Sequence, residues 1–325
     1  MEGVSIYTGK ATEESIENIE EDIFYDDDFI IVGCDNDESE KISAPSLTYW
    51  KDAMRRLRQN KIAIFSLMIL FLIFIMTIIG PNISNYGFRD QDLSIAHSLP
   101  SSDHYFGTDE LGRDIFARIW VGGRVSLLIG FVGTIISLLI GCTYGGICGY
   151  FGGKIDTVMM RIVEILVGIP YMIVVILASV VLGKGIVSLI VALCLTSWTG
   201  SARLIRGQII QLKESEYVLA ARVLGAKPWR IILKHLIPNT LGIIIVNMTF
   251  EIPGFIFSEA FLSFVGLGVQ PPNTSWGAMA SIGQQQMDFF PHELLFPALA
   301  ISITMLAFNL LGDGLRDALD PKLRQ

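Results

Sequence analysis

Long stretches without a charged side chain place the strongest constraint on this chain. A helix needs about 20 apolar residues to cross the hydrocarbon core of a bilayer. Five uncharged stretches approach or exceed that length: 62–79, 125–151, 165–183, 185–202 and 294–312. A sixth stretch, 241–268, is interrupted by Glu251, Pro253 and Glu259, so we expect a span followed by a bent half-helix. With a mean hydropathy of +0.53, the chain is too apolar for a soluble protein. The sequence predicts an all-α integral membrane protein with six transmembrane helices.

Basic residues are distributed unevenly around these spans. The segment before the first span, KDAMRRLRQNK at 51–61, contains five Lys or Arg residues. Because basic segments are retained in the cytoplasm, this end is predicted to lie inside. Alternating from there, 19 Lys and Arg fall inside and 5 outside. We therefore expect both termini in the cytoplasm, with the loop 203–240 inside and the loops 80–124 and 269–293 outside.

The amino-terminal region differs sharply in composition from the rest. Residues 1–50 contain 14 acidic and 2 basic residues, and 13 of the acids lie between Glu13 and Glu40. Such a segment is typical of a solvated, disordered arm, so 1–45 is predicted to be an acidic cytoplasmic tail whose role stays open. The remaining predicted regions are an amino-terminal region with the first span and outer loop (46–123), a five-helix core (124–315) and a cytoplasmic carboxy-terminal tail (316–325).

The longest predicted cytoplasmic loop, 203–240, contains the segment EYVLAARVLGAKPWRIILKHLIPN at 216–239. On a helix from about Lys213 to Leu224, one stripe would contain Tyr217, Ala220, Ala221 and Leu224. Two alanines at the centre of the stripe would let another surface approach closely. Gly225 follows where a left-handed carboxy-terminal cap is expected.

A second helix is predicted to follow this cap. Pro228 suits its first turn, and Pro238 is expected to end it. Its apolar residues repeat at helical spacing: Trp229, Ile232, Leu233 and Leu236. The resulting two-helix loop, residues 213–238, fits either a protein contact or a pair of amphipathic helices that lie on the membrane surface.

Five motifs carry a resemblance to a known family. The first is E-Y-V-x-A-A-R-x-x-G-A, followed at a distance by H-x-x-P-N. The others are YWKDAMRRLRQNKIAI, FGTDELGRDIFARIWVGGRVSL, SEAFLSFVGLGVQPPNTSWGAM and LGDGLRDALDPKLR. In their order along the chain, over residues 46–324, these five motifs resemble the C-type permease subunits of ABC importers of the oligopeptide and dipeptide (peptide/nickel) family.

The resemblance implies a type I ABC-importer permease fold in a bacterial cytoplasmic membrane, in contact with membrane lipid and with no nucleic-acid partner. The implied protein partners are a second homologous permease in a heterodimer, two ATPase subunits and an extracytoplasmic peptide-binding protein. The two-helix loop would be the coupling element that contacts an ATPase, through Glu216, Tyr217, Ala220, Ala221, Leu224 and Gly225. Nickel or another small chelate remains an alternative cargo within the family.

The sequence itself also indicates that ATP is bound by a separate subunit. A phosphate loop needs G-x-x-x-x-G-K followed by Ser or Thr. The nearest segment, GVSIYTGKA from Gly3, has one residue too many between its glycines and ends in Ala. We therefore expect ATP and magnesium in the partner subunits and no cofactor in this chain.

No catalytic or metal site is predicted either. The histidines do not fall at metal-ligand spacing, and no Ser, His and Asp arrangement indicates a nucleophile. The chain is therefore predicted to be a non-catalytic subunit. A membrane enzyme would need such a reactive site. An ion-coupled secondary transporter would need paired broken helices in two related halves, whereas the sequence has one interrupted segment, 241–268.

Two groups of charged residues have more than one interpretation. Within the spans, Glu251 and Glu259 could line a translocation path or satisfy backbone donors at a break in the helix. In the predicted outer loop, two pairs of opposite charge have i, i+4 spacing: Asp109 with Arg113 and Asp114 with Arg118. They could brace a short surface helix or dock the binding protein.

Overall fold

The structure, a computed structural model, describes residues 49–319 of the 325-residue chain. The predicted acidic tail 1–45 and residues 320–325 of the predicted carboxy-terminal tail lie outside the described residues. Within the described part, every regular element is helical, and an isolated antiparallel bridge joins Thr108 to Asp114.

Twelve α-helices follow one another in the described residues. They are α1 (Tyr49–Gln59), α2 (Lys61–Ile79), α3 (Ile115–Phe151), α4 (Gly153–Val167), α5 (Tyr171–Leu182), α6 (Ile186–Leu212), α7 (Glu216–Val223), α8 (Pro228–Ile231), α9 (Ile237–Asn239), α10 (Leu241–Phe264), α11 (Trp276–Gln285) and α12 (Pro291–Leu319). A π-helical turn covers Ile232–Leu236, and 3₁₀ turns cover Gly80–Asn82 and Leu93–Ile95.

Five of these helices are long and apolar enough to cross a membrane: α2 with the turn that follows it, α3, α6, α10 and α12. A sixth span results if α4 and α5, which meet at 82°, are counted together. The all-α membrane fold is confirmed. Helix α4 begins at Gly153, within the stretch that separates the predicted spans 125–151 and 165–183.

Proline breaks a different span from the one expected. Helix α10 continues through Pro253 and ends at Phe264, so the predicted bent half-helix is wrong. Pro253 is buried where α10 packs against α3, α11 and α12, and such packing tolerates a proline within a membrane helix. The sharp bend lies between α4 and α5, where Gly168 ends one helix and Pro170 precedes the next.

Helices α3 and α6 approach closely along a row of glycines. Gly141, Gly145 and Gly149 are spaced four residues apart on α3. A Cβ added at Gly145 would lie 2.4 Å from the carbonyl oxygen of Ala202 on α6. Small residues at this spacing let membrane helices pack backbone to backbone. Helix α6, which leads directly into the two-helix loop, is therefore held firmly against the longest span.

The amino-terminal helix α1 is amphipathic. Ala53 and Leu57 are buried, and Leu57 belongs to an apolar cluster with Ala318 near the end of α12. Arg55 and Arg58 are exposed. Asn60 then begins α2, because its Oδ1 accepts hydrogen bonds of 3.1 Å from the first backbone N–H groups of that helix.

Candidate functional site

Helix α7 forms the first half of the two-helix loop and spans Glu216–Val223, shorter at both ends than predicted. It begins after Ser215, whose backbone is extended and whose carbonyl accepts from Val218 and Leu219 at 3.0 and 3.1 Å. Glu216 lies in the first turn, where a negative charge is favoured by the helix dipole.

The end of α7 is a Schellman motif built on Gly225. Gly225 has a φ of 78°. Its N–H donates to the carbonyl of Arg222, and the N–H of Ala226 donates to that of Ala221, each at 3.0 Å. These are the two hydrogen bonds that define the motif. The predicted left-handed cap is therefore confirmed, and it sets the direction in which the chain leaves α7.

The predicted contact stripe of α7 is open to its surroundings in this chain. Tyr217 is 41% exposed, Leu224 is 86% exposed and Ala220 is exposed, whereas Ala221 is half-buried. A residue outside the stripe anchors the helix: Val218 is fully buried in an apolar cluster with Ile231, Ile232 and Leu236 as well as residues of α3, α6 and α10. Helix α7 is thus fixed on one side and exposed on the other.

The second helix begins at Pro228, as predicted, but does not end at Pro238. It widens into the π turn Ile232–Leu236 and continues as α9 to Asn239. Proline lacks a backbone N–H and crowds the carbonyl four residues earlier. The π turn, in which the N–H of Ile237 donates to the carbonyl of Ile232, places the irregularity just before Pro238.

The apolar stripe predicted for this second helix is only half right. Ile232 and Leu236 are buried, but Trp229 is 52% and Leu233 is 61% exposed. Ile231 is buried in their place. The wider turn departs from the 3.6-residue period on which the stripe was predicted, so the buried face shifts.

Asn239 is a site residue that sequence reasoning missed. Its side-chain Nδ2 donates to the hydroxyl of Tyr217 at 3.1 Å and to the carbonyl of His235 at 2.8 Å. It thereby joins the first turn of α7 to the stretch that leads into α10. Asn239 is the last residue of the H-x-x-P-N motif, but its contact with Tyr217 arises only when the loop folds.

The two carboxylates predicted within the spans have different surroundings. Glu251 accepts hydrogen bonds from the Ser201 hydroxyl and, at 2.7 Å, from Asn247 Nδ2. Its second oxygen, Oε2, has no hydrogen-bond partner among the described residues. Asn247 also donates to Ser201 at 3.1 Å, so α6 and α10 share a polar cluster in an otherwise apolar interface.

Glu259 is instead a structural residue. It is fully buried and accepts from the hydroxyls of Ser126, Ser263 and Ser275 at 3.1, 2.7 and 2.6 Å. The Ser126 hydroxyl in turn accepts from the backbone N–H of Trp276 at 3.1 Å. Glu259 therefore joins α10 to α3 and to the start of α11, and the path-lining interpretation is not supported for it because it has no exposed surface.

A cavity of about 630 Å³ lies between α6, the beginning of α10 and the end of α12. Its wall contains both Asn239 and Asn247, so the residue that contacts Tyr217 and the residue that contacts Glu251 border one space. The other polar residues of the wall are Gln208 and Arg316.

The four charged residues that form the two predicted pairs of the outer loop are buried. Asp109 accepts from Arg113 Nε at 2.7 Å and lies 3.4 Å from Arg118 Nε. Asp114 caps α3 through the N–H of Ala117 at 2.9 Å. The first i, i+4 pair is confirmed, but the second is wrong, because the extended Asp114 backbone aims its carboxylate at the helix end.

These four residues also have little surface to offer a partner. Their exposed fractions lie between 2% and 7%: Asp109, Arg113, Asp114 and Arg118. Helix α3 begins at Ile115, so no short surface helix covers this region. The geometry therefore supports a brace that fixes the loop to α3, and it gives no support to docking of a binding protein by these side chains.

Comparison with known proteins identifies the family. A family model described as the binding-protein-dependent transport system inner membrane component matches residues 133–325. A second, the N-terminal TM domain of oligopeptide transport permease C, matches residues 48–100. Together these two matches cover most of the chain.

Two similar permeases give the same result. The chain is 52% identical to the dipeptide transport system permease protein DppC of Bacillus subtilis, over 92% of this chain and 94% of that protein. It is also 52% identical to the oligopeptide transport system permease protein OppC of the same organism, over 89% and 94%. A solved structure of the MetNI methionine ABC transporter, in an inward-facing conformation, is 22% identical with a TM-score of 0.49, over 62% of this chain and 97% of that one. This chain belongs to the family of inner membrane components of binding-protein-dependent transport systems.

Proposed function

We propose that this chain is the permease subunit of an ATP-driven importer that carries oligopeptides or dipeptides across the bacterial cytoplasmic membrane. Members of this family are non-catalytic transmembrane components of transporters, and two relatives at 52% identity are named for dipeptide and oligopeptide transport. The observation that carries the proposal is α7, a short helix anchored by Val218 and capped at Gly225 whose outer face is exposed.

The complete transporter in this proposal contains a second homologous permease, two ATPases and an external peptide-binding protein. ATP and magnesium bind in the ATPases, because the residues after Gly3 depart from the phosphate-loop pattern. The seat on an ATPase is formed by the outer face of α7: Glu216, Tyr217, Ala220, Ala221 and Leu224. A face with two alanines admits close approach, and its exposed apolar side chains would lose contact with water on docking.

Movement of the ATPases is then transmitted by rigid elements. When ATP closes the ATPase pair, α7 moves as a lever and biases the spans between inward-facing and outward-facing states. Two attachments pass this motion on. The buried side chain of Val218 contacts a cluster shared with α3, α6 and α10, and the glycine row keeps α3 and α6 together.

Glu251 is the residue that we place on the translocation path. It accepts a hydrogen bond from Asn247, which lines the cavity between α6, α10 and α12, and its Oε2 is buried without a hydrogen-bond partner among the described residues. Separation of α6 from α10 during transport would expose this acceptor to the N–H groups of a peptide. Glu251→Gln should therefore lower peptide uptake while leaving ATPase docking unchanged.

The proposal is tested by reconstitution. The purified chain is incorporated into liposomes with the second permease and both ATPases, and the binding protein is added outside. Labelled dipeptides, longer peptides and nickel are offered in turn, with ATP present or absent on the ATPase side. We expect ATP-dependent accumulation of peptide and no ATP hydrolysis by this chain alone.

Other outcomes would contradict parts of the proposal. Accumulation of nickel without peptide would establish the alternative cargo. Uptake that continues when both ATPases are omitted, driven by an ion gradient, would indicate a secondary transporter. ATP turnover by the isolated chain, measured after removal of contaminating ATPases, would overturn the division of labour.

A further inference from the structure

The contacts of α7 with the rest of the chain include apolar packing, a hydrogen bond, and the Arg222 guanidinium 5.8 Å from the centroid of the Tyr150 ring on α3. Val218 packs in an apolar cluster with residues of α3, α6 and α10. Such packing is non-directional, so it keeps α7 attached and transmits its displacement without fixing one donor–acceptor geometry. The hydrogen bond between Tyr217 and Asn239, 3.1 Å long, is directional. It therefore adds a directional constraint on α7 to the constraint that the apolar packing supplies.

Asn239 is suited to this task by its chemistry. A carboxamide nitrogen has two N–H donors, and Nδ2 uses one towards Tyr217 and the other towards the carbonyl of His235. The bond to His235 fixes the side chain against its own helical stretch, next to the π turn and Pro238. The second donor is thereby oriented towards α7 before any partner binds.

Asn239 lies just before α10 in the chain, so a contact at Asn239 can act on that helix. Only Thr240 separates it from the first residue of α10, and the N–H of Ile244 donates to the Thr240 carbonyl at 3.0 Å. Glu251 follows Asn239 by twelve residues, about 18 Å along a helix. A displacement of α7 that is transmitted to Asn239 therefore reaches the polar cluster within the membrane through Thr240 and α10.

We propose that Asn239 is a positioning residue that, through its hydrogen bond to Tyr217, converts movement of α7 into movement of α10. This inference rests on the proposed function, since it names the link by which the two-helix loop drives the spans. Tyr217 accordingly has two roles: its ring belongs to the exposed face of α7, and its hydroxyl belongs to the link.

The test uses the whole reconstituted transporter and a double-mutant cycle. The variants are Tyr217→Phe, Asn239→Ala and the two combined, and the readout is the peptide taken up per ATP hydrolysed. Each single variant should lower this ratio about two- to tenfold, the factor that corresponds to loss of one neutral hydrogen bond. Because both remove the same bond, the combined variant should be no worse than Asn239→Ala alone.

Two further variants separate the link from other effects. Asn239→Asp should retain much of the ratio, because the Tyr217 hydroxyl can donate to the new carboxylate. The exposed residue Gln211, at the end of α6, provides the matched control as Gln211→Ala, with no expected change. Co-purification of the ATPases should stay constant throughout, since Tyr217→Phe keeps the ring.

Two outcomes of these measurements would overturn the inference about Asn239. An unchanged ratio in Tyr217→Phe, together with equal losses in Asn239→Ala and Asn239→Asp, would mean that Asn239 only caps the His235 carbonyl. Additive losses in the combined variant would mean that the two residues act separately. Failure of the proposed function is a separate result, because the wild-type transporter would then accumulate no peptide with ATP. If wild type transports peptide but the double-mutant cycle shows no coupling between Tyr217 and Asn239, only the inference about Asn239 fails.

Discussion

Replacing Gly225 by valine perturbs the two-helix loop without altering its contact face. Gly225 has a φ of 78°, and a Cβ at this position would meet no heavy atom within 4 Å. The cost of a side chain is therefore a backbone cost. A left-handed conformation costs an L-residue about 1–2 kcal/mol, and a β-branched residue lies at the upper end or above it.

That cost is large for a helix of this size. Helix α7 has eight residues, and helices this short depend on caps and packing for their order. Loss of about 1.4 kcal/mol changes an equilibrium tenfold. We expect Gly225→Val to fray the end of α7 and to displace Leu224, the capping residue that follows it. Peptide uptake per ATP should fall about tenfold, while docking persists in part through Tyr217 and Ala220.

The assay compares three substitutions at equal membrane abundance of the chain. Gly225→Asn is the matched control, because asparagine adopts the left-handed region more readily than other residues with a side chain. Uptake per ATP should rank wild type, Asn, Ala, Val, with the Asn variant nearest to wild type. Equal activity of the Val and wild-type proteins would refute the role of the cap. Equal loss in the Asn and Val variants would show that a steric contact, not backbone strain, decides the outcome.

Three further predictions concern other parts of the molecule. Ala221→Asp should reduce co-purification of the ATPases at least about tenfold, because it places a charge without a partner in a close contact; unchanged co-purification would exclude this face as the seat. Glu259→Ala should lower the melting temperature in detergent more than Glu259→Gln, since alanine leaves buried serine hydroxyls without an acceptor and costs about 3 kcal/mol or more; equal melting temperatures would contradict this. In a cysteine-less background, Ser101→Cys should react with an impermeant reagent on intact cells and Glu214→Cys should not, and the reverse result would invert the predicted topology.

Local features of the two-helix loop were predictable from the sequence. Gly225 and Pro228 act through their own backbone preferences, so their positions predicted the end of one helix and the beginning of the next. Both predictions are confirmed by the Schellman bonds and by the start of α8. The stripe on α7 was also placed by helical period alone, and its outer members are exposed.

Features that depend on distant residues were not predictable in this way. Pro170 and Pro253 are the same residue type in similar apolar stretches, yet the first lies at a bend and the second lies inside a continuous helix. Packing of α10 against other helices makes the difference. Glu259 likewise depends on Ser126 and Ser275, which lie 133 and 16 residues away.

Pairing rules fail where the assumed element is absent. The i, i+4 rule for Asp114 and Arg118 assumes that both residues lie within a helix. Asp114 instead precedes α3 with an extended backbone, so its carboxylate caps the helix and contacts His104 at 3.0 Å. Arg118 turns to Asp109. The charged residues of the brace could be identified from the sequence. Their pairing could not, because Asp114 caps α3 and leaves Arg118 to contact Asp109.

Cross-linking from α7 to the ATPases shows whether the exposed face of this helix contacts an ATPase in the working transporter. A photoreactive residue replaces Leu224, which is 86% exposed, in the assembled transporter, and Asn273, exposed in the predicted outer loop, carries the same group as the control. We predict that light joins the Leu224 variant to an ATPase subunit, with a yield that changes when ATP is added, and that the Asn273 variant gives no such product. Absence of an ATPase adduct from Leu224, with the complex intact and transporting peptide, would contradict the account.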